Sequence, residues 1–591
     1  MLSTLIYIFK YREKMVDRTM LYVSLGCVLV VLLHLGYIFD ADTHRRVARI
    51  IVWLFYGLFV LGLLRLLFSV LAAGSIGIAH YGGFLLAGCF LLVALGRSEI
   101  QGVLTFMRQD AWLYLGVFAV FLTELSKNSL FFDNFYFNPT ILFVISFLVL
   151  ILAGTLLLML PRTTWQPLPF VDALFISTSA VCITGLSTVD IATRFTGFGH
   201  AVILVLIQMG ALGMMTFTGF FGYFFAGGFS YKNQLMYSEF LGQNKVGSVV
   251  NTLLKIIFVT LVFEAFGAIF IFFSVDPALF SSAGERLFFS VFHAVSAFCN
   301  AGFSLAEGGL GHPLFRYNYQ MQLIVAALFI VGGLGFGIVF NIYSFAKHWL
   351  VNIFRRIVHG RPFVYRAWDI GFNTRLVVWT TFFLFIVATV LTFLFEHDLA
   401  LADHRSFFGK WIAAFFMGNS ARTAGFSLAE TGGLSSSTLL VMMFLMWIGA
   451  SPGSTGGGIK TTTFSVAVLN VFNLARGRDS VEIFGRRISN DSITKSFAII
   501  LLSFLVIGIT VVALSATDGE KGLWALAFES LSAYATCGLS VGITPQLSDA
   551  GKVILICCMF TGRVGMLTLL VALIKNTKNR SYEYPQEKVL F

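Results

Sequence analysis

Four short phrases, almost evenly spaced along the chain, restrict what it can fold into. Asn419 to Leu428 reads N-S-A-R-T-A-G-F-S-L, Asn300 to Leu305 reads N-A-G-F-S-L, Ile183 to Ser187 reads I-T-G-L-S, and Ala535 to Ser540 reads A-T-C-G-L-S. Each places one glycine, flanked by small or hydroxyl residues, just after a short apolar run. The glycines are Gly185, Gly302, Gly425 and Gly538, separated by 117, 123 and 113 residues. That is a four-fold internal repeat.

The setting of these phrases is apolar. Of 591 residues, 58% are hydrophobic and 12% are charged, against about 25% charged in a soluble domain. The chain reads as a multi-span membrane protein. The formal net charge of +11 fits basic cytoplasmic loops rather than nucleic-acid binding. Cys27, Cys89, Cys182, Cys299, Cys537, Cys557 and Cys558 form no CxxC pair and no secreted framework, so they read as small packing residues. The run from about 19 to 39, preceded by Lys10, Arg12 and Lys14, is longer than a signal-peptide core and reads as a retained helix.

Runs 19–39, 48–72 and 77–95 are long enough to cross about 30 Å of hydrocarbon, and 111–125 is a shorter fourth candidate. Residues 1–138 are therefore expected to form a transmembrane extension of about four helices. His34 and Arg65 lie within or near these runs; Arg65 either faces a partner helix or snorkels. From residue 139 every glycine phrase has the same surroundings. An apolar span (139–160, 250–274, 376–397 or 494–515) precedes an apolar segment of about 14 residues (168–182, 286–300, 406–420 or 521–535) that ends at the phrase. That segment is too short to cross. A second span follows (198–225, 320–346, 437–475 or 551–575). The expected fold class is an all-α integral membrane protein. It comprises four M1–P–M2 units around a pseudo-four-fold pore, at 139–228, 250–346, 375–475 and 493–575, with a cytoplasmic tail at 576–591.

Charge sets the orientation. The connection after the second unit carries Lys347, Arg355, Arg356, Arg361, Arg366 and Arg375, and the next carries Arg476, Arg478, Arg486, Arg487 and Lys495. The tail adds Lys575, Lys578, Arg580 and Lys588. Lys and Arg mark the cytoplasmic side, so the glycine phrases enter from outside. Irregular backbone at membrane depth survives only when buried in protein or lining a wet cavity. Four such loops meeting on one axis can offer carbonyl oxygens in place of an ion's hydration shell. The half-helices before them aim partly negative C-terminal ends at the cavity, which favours a cation. The expected filter residues are Ile183, Thr184 and Gly185; Asn300, Ala301 and Gly302; Thr423, Ala424 and Gly425; and Thr536, Cys537 and Gly538.

These residues carry a resemblance. Thr184-Gly185-Leu186, Asn300-Ala301-Gly302-Phe303, Arg422-Thr423-Ala424-Gly425-Phe426 and Thr536-Cys537-Gly538-Leu539 resemble the Trk/Ktr/HKT superfamily of potassium transporters. So do Leu206-Ile207-Gln208-Met209-Gly210, the stretch Ser451 to Thr461, and Gly562-Arg563-Val564-Gly565. The resemblance covers about 139–591. It implies a pore-forming subunit of the KtrB or TrkH type in the bacterial inner (plasma) membrane, surrounded by lipid. It also implies a homodimer and a cytosolic ring of nucleotide-binding RCK subunits (TrkA or KtrA type). In that family glycine at all four filter positions goes with potassium as the transported ion. No organic cofactor is implied.

Glycines recur 24–35 residues beyond each filter glycine: Gly210 and Gly213; Gly332, Gly333, Gly335 and Gly337; Gly453, Gly456, Gly457 and Gly458; Gly562 and Gly565. Close helix packing and gating both explain such residues. The run Pro452 to Gly458 is expected to break its span outright, and the third unit alone is expected to carry such a break. The expected gate is Gly453, Ser454, Thr455, Gly456, Gly457 and Gly458, with Arg563 at the same depth. Lys460, just past the break, reads either as a cytoplasmic-side anchor or as a residue without that role. Glu264 and Glu529 read as pore-tuning acids or as satisfied structural groups, and His293 as structural. A sodium-permeable or ion-coupled symporter of the same architecture is the alternative function. An organic-solute transporter would call for inverted repeats, whereas these run parallel. An intramembrane enzyme would have only His293 with Cys299 to work with.

Overall fold

The computed structural model describes residues 2–37, 40–73, 88, 110–127, 139–213, 249–360, 370–478, 480–566 and 569–570. Among the described residues, three helices come first: α1 (Leu2–Gly36), α2 (Ala41–Ala73) and α3 (Asp110–Lys127). They close around Cys27, Phe55, Leu58, Leu113 and Val117. Apart from residue 88, the run 77–95 lies outside the described residues, as do the ends of the second spans at 214–225 and 571–575 and the C-terminal tail. The Arg162 N–H donates to the Gly36 carbonyl at 2.9 Å, tying α1 to the rest of the chain.

Then one order of elements recurs: a long helix, a short helix, an irregular loop and a further helix. The first set is α4 (Pro139–Leu158), α5 (Phe170–Val181) and α6 (Gly197–Leu212). The second is α7 (Val249–Ser274), α8 (Ala283–Phe298) and α9 (Tyr319–Leu334), continued by α10 (Phe336–His359). The third is α11 (Phe372–Glu396), α12 (Phe407–Ser420), α13 (Ser436–Trp447) and α14 (Thr461–Ala475). The fourth is α15 (Asn490–Asp518), α16 (Leu523–Ala535) and α17 (Asp549–Val564). The short helices have 12, 16, 14 and 13 residues. At 1.5 Å per residue they reach roughly 18–24 Å, too little to cross. Ser282 and Ser406 begin two of them by accepting the Glu285 and Gly409 N–H groups.

The long helices keep apolar side chains outward. Phe258 and Phe273 on α7, Phe383 on α11, and Leu501 and Val512 on α15 are all exposed. In water that surface would be a liability; against lipid it is the solvent-matched face. The buried side is built by the short helices, whose Phe175, Phe292, Phe298, Phe416 and Phe528 are fully covered.

Three features differ from the sequence expectation. The run 320–346 is not one span: α9 and α10 meet at a 104° bend. The turning residue is Gly335 at φ +88°, a conformation only glycine adopts without strain. A Cβ there would press on the Pro452 carbonyl at 2.5 Å. The second set is therefore broken as well as the third, and the cause is a neighbouring loop rather than a local proline. In the third set the break runs from Ile448 to Lys460, longer than 452–458. The fold is also not purely helical. Glu482–Ile483 (β1) pairs antiparallel with Arg486–Arg487 (β2). Their two-residue turn, Phe484 and Gly485, has both φ values positive, at 51° and 71°, as a type I′ hairpin requires.

The first and last sets are joined by a buried ion pair. Lys552 Nζ on α17 lies 2.7 Å from Asp172 Oδ1 on α5. Truncating one partner strands the other charge, at a cost of about 3–5 kcal/mol. Lys552→Ala is expected to lower the thermal midpoint of the purified protein clearly, and Lys552→Met with Asp172→Asn to recover most of the loss. An unchanged midpoint in the single variant would refute this role.

Candidate functional site

Each short helix ends in a left-handed turn. Ile183, Asn300, Thr423 and Thr536 have φ of 57°, 59°, 72° and 49°, and each stands two residues before its glycine. Three of the four are β-branched, for which this region is a genuine outlier. The glycines follow at 91°, 71°, 75° and 92°. The same unfavourable conformation at four equivalent places costs of order 1–3 kcal/mol each and persists only where the surroundings over-determine it.

The surroundings are visible in the hydrogen bonds. The Thr184, Ala301 and Cys537 N–H groups donate back to the Ser179, Ser296 and Ser532 carbonyls at 2.7, 2.7 and 2.9 Å. In the third loop Ala424 N–H and Gly425 N–H both donate to Ser420 at 3.0 and 3.2 Å. Gly185 N–H and Gly538 N–H reach the Ser179 and Ser532 hydroxyls at 3.0 and 3.2 Å. The loop N–H groups thus turn back toward the short helices. The sequence reading missed these serines. Their signal was present: Ser179, Ser296 and Ser532 each lie six residues before the glycine, while the third loop has Asn419 there and Ser420 next to it.

The four loops close on one another in chain order. A Cβ added to Gly185 would meet the Ala301 carbonyl oxygen at 2.5 Å, and one on Gly302 the Ala424 oxygen at 3.0 Å. One on Gly425 would collide with the Cys537 oxygen, and one on Gly538 with the Thr184 oxygen. First touches second, second third, third fourth, and fourth first. All twelve expected filter residues fall in this ring: Ile183, Thr184, Gly185, Asn300, Ala301, Gly302, Thr423, Ala424, Gly425, Thr536, Cys537 and Gly538. Asn300 and Thr423 side chains meet across one seam at 3.2 Å. The buried Thr184 and Thr536 hydroxyl oxygens have no protein partner among the described residues.

The break between α13 and α14 crosses beneath this ring. A Cβ on Gly456 would strike Thr423, and one on Gly457 would strike Thr536. Ser451 N–H donates to Gly333 O at 3.0 Å, Thr455 N–H to Gly332 O at 3.4 Å, and Phe336 N–H to Gly453 O at 3.1 Å. Arg563 is buried and donates to the Thr455 carbonyl and, at 3.3 Å, to the Gly210 carbonyl. Lys460 Nζ donates to Gly456 O at 2.7 Å, which ties the end of the loop to its middle. Residues from the second, third and fourth sets therefore hold one loop, and Arg563 links it to Gly210 of the first. Arg422 also touches it, donating to Gly449 O at 3.4 Å while stacked over Phe385.

Other singled-out residues are bonded in place. Gly210, Gly332 and Gly562 pack so tightly on the Val181, Phe298 and Tyr534 carbonyls that a Cβ would overlap them. This is the close-packing use of glycine. Glu264 accepts from Gln208 at 3.1 Å and from the Cys299 thiol at 3.6 Å. Glu529 accepts from Ser540, Val541 N–H and Thr544. Cys299 lies far down the same short helix from His293, whose ring is engaged by Phe289 O and Ser304 at 2.9 Å each.

Comparison with known proteins places this arrangement. The TrkH model, described as a cation transport protein, matches residues 119–584. The Ktr system potassium uptake protein B of Bacillus subtilis is 35% identical over 459 residues, which is 77% of this chain and 96% of the relative. The potassium/sodium uptake protein NtpJ of Enterococcus hirae is 32% identical over 462 residues, 77% of this chain and 97% of the relative. The crystal structure of the potassium transporter TrkH from Vibrio parahaemolyticus shares the fold at a TM-score of 0.58 and 17% identity, covering 84% of this chain and 97% of that one. The family match begins within α3, so α1 and α2 lie before it. The chain belongs to the TrkH cation transport protein family, and is a multi-pass transporter of the plasma membrane.

Proposed function

We propose that this protein takes up potassium through a gated pore whose selectivity filter is the ring at Gly185, Gly302, Gly425 and Gly538. The observation that carries the reading is the closure of the four loops in chain order, each glycine against the carbonyl before the next. With the N–H groups turned back to the short helices, carbonyl oxygens are the polar groups left to face the axis, where they replace water around a cation. The four recurring sets are then M1–P–M2 units of a pseudo-four-fold pore. The partnerless Thr184 and Thr536 hydroxyls fit the same ligand chemistry. Potassium is the substrate named for the relatives in Bacillus subtilis and Vibrio alginolyticus.

The loop Gly453, Ser454, Thr455, Gly456, Gly457 and Gly458 is the gate in this reading. It lies under Thr423 and Thr536 and is held by hydrogen bonds that a modest movement would break. Arg563 fastens it from the fourth unit and places positive charge at the depth where a cation would pass. The resemblance noted above adds a homodimer and a cytosolic nucleotide-binding RCK ring acting on this loop. Sodium permeation is the competing reading, favoured by the potassium/sodium name of the Enterococcus hirae relative.

Uptake by the purified protein in proteoliposomes, with potassium, rubidium and sodium compared, tests the reading. Potassium and rubidium are expected to enter in preference to sodium; equal or faster sodium entry overturns the potassium assignment. Gly425→Asp puts a side chain against the Cys537 carbonyl and should abolish uptake, and undiminished uptake would remove the filter model. Arg563→Gln, which gives up the Thr455 and Gly210 bonds, should raise ion leak about ten- to a hundredfold. Losing a charged hydrogen bond of about 1.5–3 kcal/mol predicts that scale. Flux unchanged by Arg563→Gln would count against the gate.

A further inference from the structure

The four loops share a second small device just outside the glycine ring. A serine follows each glycine by two residues: Ser187, Ser304, Ser427 and Ser540. Each hydroxyl accepts the N–H two residues on, from Val189, Ala306, Ala429 and Gly542, at 3.4, 3.0, 3.4 and 2.9 Å. This turn is the same in all four loops. The destination of the hydroxyl proton is not.

In the first and third loops the serine closes on itself, donating to the Val189 and Ala429 carbonyls. In the second and fourth it leaves the turn and is caught by the short helix. Ser304 pairs with His293 Nε2 at 2.9 Å, and Ser540 donates to Glu529 Oε1. His293 Nδ1 sits 2.9 Å from the Phe289 carbonyl, which can only accept. Nδ1 therefore holds the ring proton, and Nε2 accepts from Ser304. Glu529 is more heavily engaged: Val541 N–H reaches it at 3.1 Å and Thr544 at 2.9 Å.

His293 and Glu529 occupy one register. Each stands nine residues before its glycine, where the first and third loops have Ile176 and Phe416. All four positions are buried. Because the loops touch in chain order, the second and fourth lie diagonally across the ring. The polar supports are thus a facing pair, and the apolar positions are the other facing pair.

We infer that His293 and Glu529 are positioning residues for ion discrimination, bracing the outer ends of two opposite filter loops so that the ring's support is two-fold rather than four-fold. This inference rests on the filter reading above. It goes beyond that reading by assigning a task to two buried side chains that do not face the ion. Each acts through a serine two residues beyond the filter glycine, so loss of the bond lets that loop relax and changes the spacing of its carbonyls.

The test uses the full chain in proteoliposomes and reads the ratio of potassium to sodium uptake beside the total rate. His293→Phe places at the second loop the residue that the third already holds there. Glu529→Gln keeps size but sets an amide against three donors. Ser540→Ala removes the fourth brace from its other end, with the smallest change in packing. Each should lower the ratio about tenfold, the scale of one hydrogen bond in a water-poor site. Glu529→Gln combined with Ser540→Ala should do no more than the larger single effect, because the Ser540 bond is one of the three that Glu529 makes. A ratio within twofold of the parent in Ser540→Ala and in either helix variant overturns the inference, as does additive loss in the double variant. Lower uptake that tracks the amount of folded protein at a constant ratio overturns it too. Gly425→Asp in the same assay separates the layers. If that variant transports normally, the filter reading fails and this inference with it; if it is dead while the brace variants discriminate normally, only the inference fails.

Discussion

A ring of carbonyl oxygens is possible only if the amides of the same residues are satisfied elsewhere. Backbone supplies donors and acceptors in equal number, and both must be paired once water is gone. Here each loop folds its N–H groups back onto the helix it has just left, through Ser179, Ser296, Ser420 and Ser532. That fold-back forces the left-handed turn at Ile183, Asn300, Thr423 and Thr536. The short helices must stop where they do because their last turns supply the acceptors. Their stopping at mid-depth in turn requires a surrounding wall of longer helices to cover them. The lipid-facing phenylalanines of α7 and α11 belong to that wall.

Much of this was legible in sequence because it is periodic. The alternation of long and short apolar runs locates the helices to within a few residues, since hydrocarbon thickness fixes what can cross. The glycines of the ring were legible because they recur at one place in that alternation. The serines six residues earlier recur just as regularly, yet serine has many ordinary uses in an apolar helix, and the third loop shifts the pattern by one. What could not be read was the second break. Nothing in V-G-G-L-G-F-G names Gly335 as the turning point, and the run has the composition of a continuous span. The bend exists because a loop from the third set lies against it, and that contact joins residues more than a hundred positions apart.

The same contact explains why glycine is dense at this depth for two different reasons. Gly210, Gly332 and Gly562 let second helices touch the carbonyl ends of the short helices. At the corresponding depth of the third set Gly449 has the loop's own Gly457 as its neighbour instead. Three sets close the wall below the filter with helix on helix, and the third closes it with the crossing loop. The crossing loop is therefore part of the packing, whatever else it does. A movement that cleared the axis would have to replace the bonds to Gly332, Gly333, Phe336 and Arg563 together, which makes the closed arrangement cooperative rather than graded.

Four loops on one chain need not be identical, and their departures from symmetry are of two kinds. Below the ring the asymmetry is between neighbours: the second and third sets share the broken helices, and the fourth contributes Arg563. Above it the asymmetry is between diagonals, with His293 and Glu529 bonded to their loops on one diagonal and the apolar Ile176 and Phe416 in their register on the other. At the ring itself the loops agree, in the sign of φ at both positions and in the direction of closure. If the ring is the filter proposed above, an ion on its axis would meet all four loops alike, and an unequal glycine there would spoil the coordination. The supports above and below act on single loops and are free to differ. Polar and apolar support accordingly alternate one layer outside the ring, where His293 and Glu529 replace Ile176 and Phe416.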